Sequence, residues 1–406
     1  MDDPTAGIHS PPLSPGISPV HLSDAMEELV RFTLSSSVAG DEDFSDLGFS
    51  RDYCSRLLQD DPVMVYPHLN DVGSGNRGVP MYPLYKHLAR VIQRCIDSKG
   101  FLSQSADIGG DIPVEESIKM KEDEWTKVIL DKGLELHNMY NTVDFELHVQ
   151  EPFFSQLRAG LKKVEGRCAV GNYNQIVPGS FLLFNKCLLL KVEQVTRYTS
   201  FSQMLQAENL TKVLPGVVTI EEGVQIYRNF YAEEKERSNG ILAISVSRPA
   251  SQPYICMKEL LAGLSYDGTS SLLGMSQTGG TVPDGLPPPR SILLSSSVKP
   301  HRSNVKGCSL TDAARALAKH VNRSSHGWWG DFRGSDSNKN QLALDVINHL
   351  LADCCWMNVH LIQPYECVFE IRVHEGYGAR WSKDGFKFIG FLEPYSKEGF
   401  SKGWKH

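Results

Sequence analysis

A chain of 406 residues, 41% of them apolar, is long enough for two or three domains with cores of their own. Its 41 Lys and Arg against 48 Asp and Glu give a net charge of −7, which excludes the uniformly basic balance of a dedicated nucleic-acid binder. The charge is uneven: residues 1–150 hold 12 basic against 25 acidic side chains, residues 151–250 hold 12 against 9, and residues 301–406 hold 14 against 11.

Nine cysteines with no CxxC pair and no framework spacing fit reduced thiols in the nucleus, the cytoplasm or both. Asp2 and Asp3, with no basic residue before Arg31, fit neither a secretory signal nor a mitochondrial presequence. No run approaches the roughly 20 apolar residues that span a bilayer, so no membrane partner is expected.

Residues 1–21 repeat Ser-Pro at Ser10-Pro11, Ser14-Pro15 and Ser18-Pro19 and are expected as a disordered tail. Residues 22–143 read as an acidic helical region. Met26, Leu29, Val30 and Leu34 mark a first helix, Ser50 caps a second carrying Tyr53, Cys54 and Leu57, Leu84 to Ile96 form a third, and Trp125, Val128, Ile129 and Leu136 a fourth. No constellation there carries chemistry; the expected role is support or contact with protein partners.

From Asp144 the period changes. Phe145, Leu147 and Val149 alternate with polar residues as in a half-buried strand. Glu151 and Pro152 open a short helix that Gly160 stops. The segment leaving that helix carries Lys162, Glu165 and Arg167 in the pattern GxKxxExR, before an apolar strand expected to begin near Cys168. Further strands are expected at residues 181–184, 187–195 and 241–246. Ser200 with Gln203 and Thr219 with Glu222 are capping boxes for two helices, the second carrying Tyr227, Phe230 and Tyr231. Lys162, Glu165 and Arg167 make either a surface ion-pair network of little consequence or a binding site. In the second case Arg167 would fork onto a phosphate or base edge, Lys162 would neutralise a phosphate, and Glu165 would orient a guanidinium or accept from an exocyclic amine.

The sequences GLKKVEGR, IVPGSFLLFN, YTSFSQML and LPGVVTIEEGVQIYRNFYAEE, in this order and spacing, resemble the ASCH domains, a branch of the PUA-like superfamily that includes the activating signal cointegrator. The resemblance covers residues 144–248. It implies an α+β fold in which a PUA-like, partly open β-barrel follows the helical region, with a cleft at Lys162, Glu165 and Arg167. It also implies RNA or single-stranded nucleic acid as partner, no cofactor, and a role in transcription coactivation or RNA processing. The cointegrator's zinc-binding module has no counterpart here. Some small ASCH proteins resemble amidohydrolases acting on acetylated cytidine, with a lysine, a threonine and a downstream glutamate. Lys162 matches the lysine, but Glu165 stands at the threonine position. A neighbouring carboxylate is expected to raise the lysine's pKa and oppose its use as a base. Glu208, Glu221 and Glu222 are the candidates for the glutamate. A scaffold that binds only proteins is the third reading.

Residues 266–304, rich in Gly, Ser, Thr and Pro, are expected as a disordered linker. Residues 307–406 read as a separate C-terminal α+β domain, with helices opened at Ser309 and around Leu342 and four strands between Trp356 and Leu392. It resembles the region that follows the ASCH domain in plant proteins of unassigned role, to which the whole chain is expected to be similar. Trp328, Trp329, Arg380, Trp381 and Lys383, together with Arg323, Lys402, Trp404, Lys405 and His406, interleave aromatics and cations as a base-stacking surface would. For Trp328 and Trp329 the alternative is that they fold back over the helices as a lid. His320, His326, His349, His360 and His374 lack a ligand spacing, and no metal is expected.

Overall fold

The computed structural model describes residues 20–62, 77–102, 116–301, 309–321, 327–363 and 365–394, the side chains of 116–119 and 365 excepted. Residues 1–19 of the expected tail, Arg323, His326, Lys402, Trp404, Lys405 and His406 lie outside them. The described residues fall into two units, residues 20–32 with 134–257 and residues 33–133 with 258–394. The eight described cysteines are thiols.

The first unit is built on β1 (Phe145–Leu147), β2 (Val164–Cys168), β3 (Phe181–Phe184), β4 (Leu188–Tyr198) and β5 (Ile241–Ser247), in the order β1-β3-β4-β5-β2. β1 and β3 are parallel and the other neighbours antiparallel, forming a curled half-barrel. Asn185 and Lys186 turn β3 into β4 with φ of 48° and 59°, a left-handed conformation that asparagine tolerates better than most residues. The Asn185 amide also clamps Val149 after β1, accepting from its N–H and donating to its carbonyl at 2.8 Å each.

Short helices pack on this sheet. Ser200 caps Phe201–Ala207 and Thr219 caps Ile220–Arg228, each hydroxyl accepting from a first-turn N–H, at 3.1 and 3.2 Å. Val164, Cys168, Phe201, Met204, Leu205, Tyr227, Ile241 and Ala243 share one apolar cluster, in which the Phe201 and Tyr227 rings stack at 4.1 Å.

Three expectations change here. Asn209, at φ 67°, breaks the helix after Ser200 into Phe201–Ala207 and Leu210–Val213. The helix opened by Thr219 stops at Arg228, before Phe230 and Tyr231. β2 begins at Val164 rather than near Cys168, so Glu165 and Arg167 lie within a strand paired with Ile244 and Leu242 of β5. Strand pairing with an apolar neighbour outweighs the polarity of VEGR, which by itself reads as a solvated turn.

In the second unit β6 (Trp356–Ile362), β7 (Tyr365–Arg372), β8 (Gly378–Ser382) and β9 (Phe388–Leu392) form an antiparallel meander. Met357, Val359, Phe369, Ile371, Ala379 and Trp381 are buried on one face, toward helices Arg290–Ser297, Asp312–Leu317 and Asp336–Asp353. The helix expected to open at Ser309 is capped by Thr311, which accepts from the Ala314 N–H at 3.1 Å.

The stretch expected as a structureless linker is ordered in its described part. Residues 266–301 continue the helix Pro253–Leu272 and contain the helix Arg290–Ser297, whose Leu293 and Leu294 are buried. Between them the chain runs along the edge of β6, with Ser276 and Val282 N–H groups donating to Met357 and Val359 carbonyls at 2.8 Å. Ser296 and Ser297 return their hydroxyls to the Leu293 carbonyl, which lets a serine-rich segment be buried without orphaned polar groups. Hydrogen exchange should find the amides of Leu293 to Ser297 protected to the same degree as those of Asp336–Asp353; exchange at the rate of an unstructured peptide would restore the linker reading.

Candidate nucleic-acid interface

Gly160, at φ 71°, ends the helix Phe153–Arg158 and turns the chain so that the Leu161 and Lys162 N–H groups both donate to the Gln156 carbonyl. Lys162 is thereby aimed inward, against the first residues of β2. Its ammonium donates to the carbonyls of Val164 at 2.9 Å and Val213 at 2.5 Å, and pairs with Glu165 Oε2 at 3.2 Å. Glu165 Oε1 pairs with Arg167 Nε at 2.7 Å, and Arg167 Nη2 donates to the His148 carbonyl at 2.8 Å. Strand alternation puts Glu165 and Arg167 on one face of β2, while Val164 and Cys168 enter the apolar cluster.

Lys162, Glu165 and Arg167 are only 3, 6 and 8% exposed, so the solvated surface network is excluded. Burial would raise the Glu165 carboxyl, but the Lys162 and Arg167 charges outweigh it and hold it below its ordinary range. Burial likewise opposes the Arg167 charge and is overcome by Glu165, which raises the guanidinium's pKa. At Lys162 burial prevails over the help from Glu165, and the pKa is lowered. This corrects the expectation of a raised lysine. Its three protons nevertheless face three acceptors, so a base there would have to abandon one of them.

The triad forms the floor of a cleft of about 110 Å³ walled by Phe153, Tyr173, Tyr227, Phe230 and Tyr231, with Lys235 at its margin. The Arg167 guanidinium lies 5.7 Å from the Tyr173 ring centre, Lys162 Nζ 5.7 Å from Phe153, and exposed Lys235 5.7 Å from Tyr231. Gly166 leaves room for this wall, because a Cβ there would stand 2.5 Å from the Tyr227 hydroxyl and 2.7 Å from Met204 Cε. One carboxylate between two cations leaves a net positive charge at the base of an aromatic cleft. Such a site suits a small planar group carrying negative charge. Glu208, Glu221 and Glu222 do not line the cleft; Glu208 instead accepts from the Tyr198 hydroxyl at 2.7 Å.

Sequence reasoning placed the three charges together and missed the wall. Tyr227 was legible only as an apolar helix position, and Phe230 and Tyr231 enter the cleft because the helix stops before them.

The C-terminal candidates do not form one surface. Trp329 and Trp381 are fully buried; the Trp381 indole donates to the Leu293 carbonyl and that of Trp329 to Glu393. Trp328 is half-buried and stacks on Tyr377 at 4.3 Å. Arg380 is buried against Glu370, and exposed Lys383 stands 4.0 Å from Asp284. The base-stacking surface drawn from these residues is therefore corrected: the large aromatics fill the core, as the lid alternative held for Trp329. His320, His349 and His360 each face a carboxylate, Glu393, Asp353 and Glu370 respectively.

The curled mixed sheet and its cleft define a PUA-like α+β domain, and residues 147–250 match the ASCH domain. The chain belongs to the ASCH-domain proteins. Residues 299–393 match the CdiA C-terminal tRNase toxin domain. Two solved structures are similar to part of the chain. The hypothetical protein PH0355 is 42% identical, with 26% of this chain and 97% of that one covered and a TM-score of 0.25. Protein PF0455 from Pyrococcus furiosus, a solution NMR structure, is 41% identical with the same coverage and a TM-score of 0.24. No curated protein matches. No helix among the described residues is long and apolar enough to cross a membrane.

Two outcomes follow for the triad. Glu165→Gln leaves two buried cations without their carboxylate and should cost about 3–5 kcal/mol in a urea titration; a loss under about 1 kcal/mol would mean that the triad is solvated. Because the folded Glu165 carboxyl lies below its ordinary 4.5, its contribution is present above that pH and is lost as pH falls through the folded value. The variant should therefore flatten the acid limb of the stability curve. Gly166→Ala should cost about 1–3 kcal/mol by overpacking, read in the same titration.

Proposed function

We propose that this protein binds RNA through its ASCH cleft, with an unpaired base among the aromatic side chains and its phosphate toward Arg167 and Lys235. The observation that carries the reading is the buried carboxylate between two cations on the floor of an aromatic cleft. Arg167 supplies its charge and its Nη1 edge, which meets the Tyr173 hydroxyl at 3.5 Å, while Glu165 and the His148 carbonyl hold the guanidinium in position. Lys162, with its three donors engaged, contributes its charge and fixes Glu165 rather than touching the ligand. The ASCH match supports nucleic acid as the partner, and the tRNase-domain match of residues 299–393 supports RNA. A cleft of this size suits a splayed single strand better than a duplex groove.

Transcription coactivation or RNA processing is the finer form of this reading, with protein partners on the acidic helices. The amidohydrolase reading is not favoured, because Lys162 has no unengaged proton site and none of the three candidate glutamates lines the cleft.

Fluorescence anisotropy with a single-stranded RNA should show affinity falling as salt rises from about 50 to about 200 mM. Lys235→Ala, on an exposed side chain, should weaken binding and reduce the salt slope by about 1. Arg167→Gln should weaken it further. Salt-independent binding, or equal affinity for all three proteins, would remove the cleft as the RNA site.

A further inference from the structure

The polar face of the C-terminal sheet carries a second carboxylate between two cations. Antiparallel register aligns Asn358, Glu370 and Arg380 across β6, β7 and β8, and strand alternation puts His360 and Arg372 on the same face. Glu370 Oε2 accepts from Arg380 Nε at 2.9 Å and Nη2 at 2.6 Å, and Oε1 accepts from Arg372 Nε at 2.7 Å. His360 Nε2 stands 3.4 Å from Oε2. The Glu370 and Arg380 side chains are 4 and 6% exposed, whereas those of His360 and Arg372 keep 13 and 18%, so the group is open on the histidine side.

Two guanidinium groups against one carboxylate leave an excess positive charge where little water reaches it. Among the described residues, Arg380 Nη1, Arg372 Nη2 and His360 Nδ1 have no hydrogen-bond partner. Three unspent nitrogens beside a surplus cation suit a phosphodiester: one Nη donor from each arginine for its non-bridging oxygens, and an imidazole held by a carboxylate in the way that orients a proton-transfer group. Burial would raise the Glu370 carboxyl, but the His360 contact and the two arginines outweigh it and bring it down to about 2. Glu370 is thus a fixed anion rather than a base. Residues 299–393, which match the tRNase toxin domain, include all four side chains.

We propose that this face is an RNA-cleaving site in which His360 moves the proton, Arg372 and Arg380 hold the scissile phosphate, and Glu370 positions all three; the choice of RNA rests on the reading above. His360 Nδ1 takes the proton of a ribose 2′-hydroxyl, and the O2′ electron pair forms a bond to the adjacent phosphorus. The P–O5′ bond breaks with its electron pair on O5′. The leaving oxygen is protonated by solvent, and the imidazolium returns its proton to solvent. The products are a 2′,3′-cyclic phosphate and a 5′-hydroxyl, with no oxidant, reductant or co-reactant.

The test incubates the full chain with an unmodified single-stranded RNA, a tRNA transcript, and the first RNA fully 2′-O-methylated. Unmodified RNA should be cut to cyclic-phosphate and 5′-hydroxyl ends while the methylated strand survives, a result that needs no variant. His360→Asn should be cut-deficient by about 10²–10⁴-fold with an unchanged melting temperature. Glu370→Asp should recover part of the kcat that Glu370→Gln loses, which a purely structural carboxylate would not produce. Unmodified RNA and tRNA left whole at protein excess would overturn the inference, as would a His360→Asn protein that cuts as fast as the parent. RNA bound but uncut defeats this site and leaves the ASCH reading standing. RNA cut by a chain whose affinity ignores Arg167 and Lys235 does the reverse.

Discussion

The removal from water of Lys162, Glu165 and Arg167 is the constraint on which the ASCH domain turns. Each buried ion costs several kcal/mol unless its neighbours replace the lost hydration. Here they do so with backbone as well as charge: the carbonyls of Val164, Val213 and His148 accept from the two cations. The triad therefore ties β2 to the short helix Leu210–Val213 and to the segment after β1, three pieces distant in sequence. Binding geometry and local stability rest on the same atoms.

The chain uses that arrangement twice. In each unit one buried carboxylate on a strand holds two basic side chains, leaving an excess positive charge. The surroundings differ. Around Arg167 the walls are aromatic, which favours the face of a base. Beside Glu370 stand His360 and Asn358, the latter held by the Thr278 and Thr281 hydroxyls, polar surroundings that favour a phosphate and a proton transfer. A chain that is acidic overall can present two such positive sites because each is made by a few residues close together.

Much of the fold was legible. Alternation located β1, the strands expected at residues 181–184, 187–195 and 241–246 meet β3, β4 and β5, and capping hydroxyls at Ser50, Ser200 and Thr219 marked helix starts to the residue. The errors share a cause. Polar or small-residue segments, VEGR in β2 and the serine-rich helix Arg290–Ser297, were taken as solvated because their partners lie far away in the chain. Trp329 and Trp381 were drawn as a surface because aromatic–cation interleaving looks the same in sequence whether the rings face out or in.

The sequence by itself determined which local elements form and that Lys162, Glu165 and Arg167 lie within one short segment, since periodicity, capping and glycine placement act over a few residues. Tertiary structure decided which charges are buried, which aromatics wall the cleft, and that His360, Glu370, Arg372 and Arg380 share one face. Those outcomes depend on strand register and on the solvation cost of ions, both set by contacts between residues far apart in the chain.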